Sequence, residues 1–133
     1  MIFVIFITTA PYNGQNAYSA YLFTKAVIKE KKIVKDIFFY HDGVSNSNKN
    51  IFFDKNEFNL INHWKKLSIK YHINLYICIT SAKKRGLIMK NNSHKKNLLN
   101  HNKKYDIIDN IFKITTLSKF TTSILTCDYL VQF

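Results

Sequence analysis

The chain has 133 residues, 47% hydrophobic and 15% aromatic, which is enough apolar surface for one folded domain and excludes a disordered tail. Two cysteines, at positions 78 and 127, exclude a disulfide framework, fit no zinc-ligand spacing and point to a reducing, cytoplasmic setting. The net charge of +12 invites a nucleic-acid reading, but 19 lysines, 18 isoleucines and 15 asparagines beside a single arginine are what AT-rich coding imposes, so part of that charge is compositional drift.

In chain order, residues 1–9 (Met1-Ile2-Phe3-Val4-Ile5-Phe6-Ile7-Thr8-Thr9) predict a buried first strand. The run has no basic n-region and stops too early for a signal peptide or a membrane span, and no other segment is apolar enough to insert. Ala10 to Gln15 form a loop, and Asn16 is placed to cap a helix reaching about Lys31. Ala17, Ala20, Tyr21, Thr24, Val27 and Ile28 recur at helical spacing and would face a sheet.

Ile33 to Tyr40 predicts the second strand, closed by the turn pair Asp42-Gly43. Asp54-Lys55-Asn56-Glu57 has the spacing of a capping box and is expected to open the second long helix, with Leu60, Ile61, Trp64, Leu67 and Tyr71 as its buried stripe. The third strand is Ile73 to Ile79. Strand alternation sets Cys78 with Asn74, Tyr76 and Thr80 on the more polar face.

Residues 83–104 carry eight Lys/Arg and no Asp or Glu, and a basic, polar surface excursion is expected over about residues 87–106. Ile111 to Thr116 predicts a fourth strand, Leu117 to about Thr126 a short helix, and Asp128 to Phe133 a terminal strand. Strands alternating with helices define an α/β fold: a three-layer α/β/α sandwich, Rossmann-like, on a mostly parallel sheet of about five strands. Residues 1–133 read as a single domain.

The chemistry concentrates at Cys78. It ends an apolar strand where open α/β sheets place their sites, and Lys83, Lys84 and Arg85 follow within seven residues. Those cations would favour the thiolate, which is the reactive form, and a helical turn from Ser81 onward would add free N–H groups. Arg85 is the lone arginine; its planar fork suits a carboxylate or a backbone carbonyl, so Arg85-Gly86 is assigned a structural or site-shaping role.

Cys127 reads as a structural thiol, and the alternative of a resolving partner for Cys78 stays open. His41-Asp42 reads as turn chemistry, not an acid/base dyad, and His63, His72, His94 and His101 have no metal spacing. Glycine-rich phosphate loops, RNA-binding strand signatures and the serine-hydrolase elbow are all missing from the sequence.

Three blocks then carry a resemblance. They are the first strand with the helix Asn16-Ala17-Tyr18-Ser19-Ala20; the segment Phe38-Phe39-Tyr40-His41-Asp42-Gly43-Val44-Ser45-Asn46-Ser47-Asn48; and Ile77-Cys78 through Arg85-Gly86 with the closing Leu125-Thr126-Cys127-Asp128-Tyr129-Leu130-Val131-Gln132-Phe133. Collinear over nearly the whole chain, they are similar to the DsrE-like sulfurtransferases.

The resemblance implies a subunit of a cytoplasmic sulfur relay that accepts sulfur as a persulfide on Cys78 and passes it on toward 2-thiouridine at the tRNA wobble position. It implies assembly with two related subunits, TusB and TusC, into a heterohexamer, with sulfur received from TusA and delivered to TusE. No metal, cofactor or membrane is implied, and direct tRNA contact is not expected. The competing reading is a non-catalytic basic module that docks tRNA or an acidic protein.

Overall fold

The computed structural model describes residues 1–89 and 107–133. Five strands, β1 (Ile2–Ile7), β2 (Ile33–Phe39), β3 (Asn74–Cys78), β4 (Phe112–Thr115) and β5 (Tyr129–Gln132), form one sheet in the order β4-β3-β2-β1-β5. Every pairing is parallel. The α/β sandwich and its five strands are therefore as the sequence predicts, and the strands are wholly parallel.

Parallel strands need crossovers, and the helices that supply them must bury both faces of the sheet. Helices α1 (Asn16–Lys29) and α2 (Leu60–Tyr71) cover one face. There Phe3, Ile5, Ile37, Phe39, Leu75 and Ile77 meet Ala17, Tyr21, Val27, Leu60 and Trp64 in the main core. Helix α4 (Leu117–Leu125) covers the other face more thinly, over Val4, Phe38 and Tyr76. Phe120 anchors it, with ring centroids 4.6 Å from Phe6 and 4.9 Å from Phe38.

A buried polar chain pins α4 to the sheet. Ser123 Oγ donates to Asp36 at 2.6 Å, Asn74 Nδ2 donates to the other oxygen at 2.8 Å, and Lys113 Nζ donates to Asn74 Oδ1 at 2.8 Å. Asp36 is almost wholly buried, and these bonds replace the water it gave up.

Several boundaries differ from the sequence reading, each for a local reason. Asn16 is the first helical residue and not the cap; Gln15 precedes it with no side-chain cap bond. Helix α1 stops at Lys29 because Lys31 turns left-handed, with φ 57°. The Asp54–Glu57 motif forms only a turn, in which Glu57 reaches back to the Asp54 N–H at 3.1 Å. Helix α2 opens instead at Asn59, whose Oδ1 accepts the Asn62 N–H at 3.1 Å. Tyr71 ends the helix half-exposed, outside the core stripe.

Asp42-Gly43 is part of a longer element, a 3-10 segment over His41–Ser47 that packs against the ends of β2 and β3. Gly43 is required there by proximity and not by torsion. A Cβ at this position would collide with the backbone carbonyl of Ile7, which β1 holds fixed. Gly43→Ala is therefore expected to cost about 3 kcal/mol, the upper end of the overpacking range. Gly14→Ala, where a Cβ meets nothing within 4 Å, is expected to pay only for its positive φ. Thermal denaturation of the two variants checks the difference.

Candidate functional site

All five strands end on one edge of the sheet, and the loops there bring the sequence-distant blocks together. Strand β3 ends one residue earlier than its apolar run suggests. Ile79 and Thr80 belong to a short helix, α3 (Ile79–Lys84), and Cys78 is its N-cap residue. Cys78 pairs in register with Thr115 of β4. The residue is only 7% exposed and packs with the main core, so the assignment to a polar face is corrected, and Thr80 does not share a strand face with it because Thr80 lies in α3. The first backbone N–H groups of α3 lie at its cap, where helices leave their donors unsatisfied.

The 3-10 segment closes over α3 through two contacts. Ser81 Oγ accepts the His41 N–H at 3.1 Å, a bond that His41 reaches from a left-handed backbone, φ 49°. Arg85 Nε donates to Asp42 Oδ1 at 2.8 Å, and its Nη1 donates to the Ser81 carbonyl at 3.3 Å. The single guanidinium thus holds one carboxylate and one backbone carbonyl, as its planar fork permits. Gly86 follows with φ 70°, a conformation that ends α3.

Lys83 and Lys84 are exposed on the last turn of α3. At about 1.5 Å of rise per residue they sit several ångströms along the helix from Cys78. Arg85, by contrast, is engaged by Asp42. The basic excursion predicted for about residues 87–106, with His94 and His101, lies from residue 90 on outside the described residues. Among the described residues, no group of three or more His, Cys, Asp or Glu side chains could hold a metal ion.

One residue of this edge escaped the sequence reading. Asn46 is fully buried, and its Nδ2 donates to the Thr9 carbonyl at 3.0 Å and to the Gly43 carbonyl at 2.9 Å. Its Oδ1 accepts the Trp64 Nε1–H at 3.2 Å. One amide therefore ties the loop after β1, the 3-10 segment and α2 together beneath the site. The available signal was its place in the Gly43-Val44-Ser45-Asn46 run, where an asparagine follows a glycine that must lie close to backbone. Beside it Thr9 Oγ1 is buried without a partner.

Cys127 lies on the other face. It is half-buried against the smaller core, with Sγ 3.3 Å from the Ile124 carbonyl. His63 sits in an aromatic cluster near the start of α2, stacked on Phe58 at 3.9 Å, with Nδ1 2.7 Å from the Asn59 carbonyl. Burial in the same cluster pushes the Tyr21 phenol above its ordinary range, with a further push from Tyr18. His72 caps α2 in the left-handed region.

The chain is thus a three-layer α/β protein with a wholly parallel five-stranded sheet and a cysteine at the carboxyl end of β3. The chain belongs to the DsrE/DsrF-like family, whose sequence profile matches residues 1–133. Among curated relatives it is 37% identical over 133 residues to "Sulfurtransferase TusD" of Buchnera aphidicola subsp. Acyrthosiphon pisum (strain 5A), covering all of both chains. It is 32% identical over 133 residues to "Sulfurtransferase TusD" of Proteus mirabilis (strain HI4320), covering all of this chain and 98% of that one. In fold it resembles the crystal structure of the ychN protein from E. coli, with a TM-score of 0.75 and 16% identity over the full length of both. No helix among the described residues is long and apolar enough to cross a membrane.

Proposed function

We propose that this chain is a sulfurtransferase subunit that carries sulfur as a persulfide on Cys78. The observation that carries the reading is full-length similarity to relatives named Sulfurtransferase TusD, in a chain whose one strand-end thiol is Cys78. The Cys78 thiolate attacks the outer sulfur of a donor persulfide. A sulfur–sulfur bond forms, the donor's own bond breaks, and the donor leaves as a thiolate. An acceptor thiolate then attacks the terminal sulfur and Cys78 leaves as its thiolate, so no oxidant or reductant is consumed.

The burial of Cys78 suits this chemistry. A persulfide extends the side chain by one sulfur–sulfur bond, about 2 Å, which moves the transferable atom outward while Sγ stays protected. Shielding matters because exposed thiolates oxidise, and beyond the sulfenic acid that oxidation is irreversible. The Asp42–Arg85–Ser81 clamp holds α3, and with it Cys78, against the 3-10 segment. Lys83 and Lys84 serve as the basic rim that an acidic carrier would meet.

In this reading the sulfur passes toward 2-thiouridine at the tRNA wobble position. The chain works with the related subunits TusB and TusC in a heterohexamer, with TusA as donor and TusE as acceptor, in the cytoplasm. Donor protein loaded with radiolabelled sulfur tests the reading: label is expected to appear on the chain and then leave to an acceptor thiol protein. A chain that never takes up label while its donor is discharged by other acceptors contradicts it.

Arg85→Lys separates positioning from stability. Lysine keeps the charge but cannot hold Asp42 and the Ser81 carbonyl together. The pair lies near the surface, with Asp42 65% exposed, so the stability loss is expected to stay below about 1 kcal/mol. Transfer is expected to slow several-fold, as measured by single-turnover discharge of the loaded chain.

A further inference from the structure

We propose that the Ser81 hydroxyl is the hydrogen-bond donor to the Cys78 sulfur when that sulfur is anionic, both as attacking nucleophile and as leaving group. The inference rests on the reading of Cys78 as the reacting atom and adds the side chain that holds its charge. Among the described residues, five serines and threonines are buried: Thr24, Ser47, Ser68, Ser81 and Ser123. All but Ser81 spend their hydroxyl proton inside the protein. Thr24 donates to the Ala20 carbonyl at 2.7 Å, Ser47 to the Val44 carbonyl at 2.6 Å, Ser68 to the Ile73 carbonyl at 2.7 Å and Ser123 to Asp36 at 2.6 Å. Ser81 only accepts. The His41 N–H occupies its Oγ at 3.1 Å, and its own proton has no acceptor among the described residues.

The Cys78 sulfur is the complementary group. It is buried too, and Sγ makes no hydrogen bond among the described residues, whereas Cys127 Sγ lies 3.3 Å from the Ile124 carbonyl. Cys78 and Ser81 stand at the cap and third positions of α3, the spacing at which side chains meet in a capping box. Ser81 is pinned in place, because Arg85 Nη1 donates to its carbonyl at 3.3 Å while His41 holds its oxygen. The proton can still turn, since a hydroxyl rotates with its oxygen fixed. A neutral thiol is a weak acceptor for it. A thiolate is a charged one, and hydrogen bonds to charged groups are the stronger kind. No proton is transferred: Ser81 keeps its hydrogen while the sulfur–sulfur bond forms or breaks and the charge on Sγ comes and goes.

Alkylation of the Cys78 peptide by iodoacetamide, read by mass spectrometry across pH on the full chain, tests the proposal. Ser81→Ala is expected to raise the midpoint of the pH–rate profile by about one unit and to slow alkylation several-fold near neutral pH. Merely loosening α3 would change the rate alike at every pH and leave the midpoint in place. Thr80→Ala removes an exposed hydroxyl one residue earlier and is expected to leave the midpoint unmoved. Ser81→Thr and Ser81→Val, alike in shape but not in the hydroxyl, repeat the comparison: the midpoint is expected near wild type in the first and raised in the second. The charged and titratable groups around this edge are His41 and Asp42 on the 3-10 segment and Lys83, Lys84 and Arg85 on α3, with Lys113 and Lys119 reaching Tyr76. All are common to the proteins compared, so their own titration cancels. An unmoved midpoint in Ser81→Ala overturns the proposal, and so do equal midpoints in the threonine and valine variants. Alkylation uses no sulfur donor, so a raised midpoint in a chain that takes up no sulfur would sustain this inference while ending the relay reading.

Discussion

Cys78→Ser is expected to abolish sulfur uptake completely while leaving the fold intact. The substitution is close to isosteric, and the residue sits at the end of β3 with its backbone held by the Thr115 pairing and by α3. Placing a hydroxyl in a nearly buried position costs about 1–3 kcal/mol, which a domain of this size tolerates. The chemistry does not tolerate it, because serine forms no stable sulfur–sulfur bond and offers no thiolate to leave. Cys127→Ser is the matched control. Its sulfur lies on the opposite face of the sheet, under α4, and uptake is expected to persist. Donor-loaded sulfur on each variant, followed by mass spectrometry beside circular dichroism, separates loss of chemistry from loss of fold.

Asn46→Asp is expected to be the most destabilising near-isosteric change in the protein, by about 3–5 kcal/mol at neutral pH. Asparagine donates two hydrogen bonds to the carbonyls of Thr9 and Gly43, and an aspartate would set oxygen against both. It would also bring a charge to a position with 0% exposure. The pH dependence has a definite sign. Burial beside two carbonyls raises the folded-state pKa of the new carboxyl above its unfolded value of about 3.9. The charge part of the penalty is therefore absent below that value, where both states are protonated, and grows as pH rises through the folded-state pKa, while the loss of at least one of the two donated hydrogen bonds remains at every pH. Denaturant titrations at acid and neutral pH check this, and a pH-independent deficit would contradict it. Asn46→Ala, which introduces no charge, is expected to show a smaller loss with no such slope.

The strands were legible because they are continuous apolar runs. Ile2–Ile7 is buried on both faces of the sheet, and only a strand covered on both sides produces such a run in so few residues. Arg85 was legible as the one arginine in a lysine-rich chain, and its partners are the carboxylate and carbonyl that a planar fork suits.

What could not be read depends on contacts distant in sequence. Gly43 looks like a turn glycine until the Ile7 carbonyl is brought against it. Asn46 looks like one asparagine among 15 until Thr9 and Trp64 converge on it. The capping motif at Asp54 failed for a local reason: its reciprocal bond forms, but Asn59 caps the helix five residues later. The polar-face assignment of Cys78 failed because the residue packs with the main core, and Thr80, expected beside it, belongs to α3.

The central claim is that Cys78 carries the sulfur, and peptide mapping of the wild-type chain after incubation with a persulfide donor tests it most directly. The account predicts one added sulfur atom on the peptide bearing Cys78, removed by a reducing thiol, with the Cys127 peptide unmodified. Sulfur on Cys127 alone, or on neither peptide while the donor remains competent toward other acceptors, would contradict it.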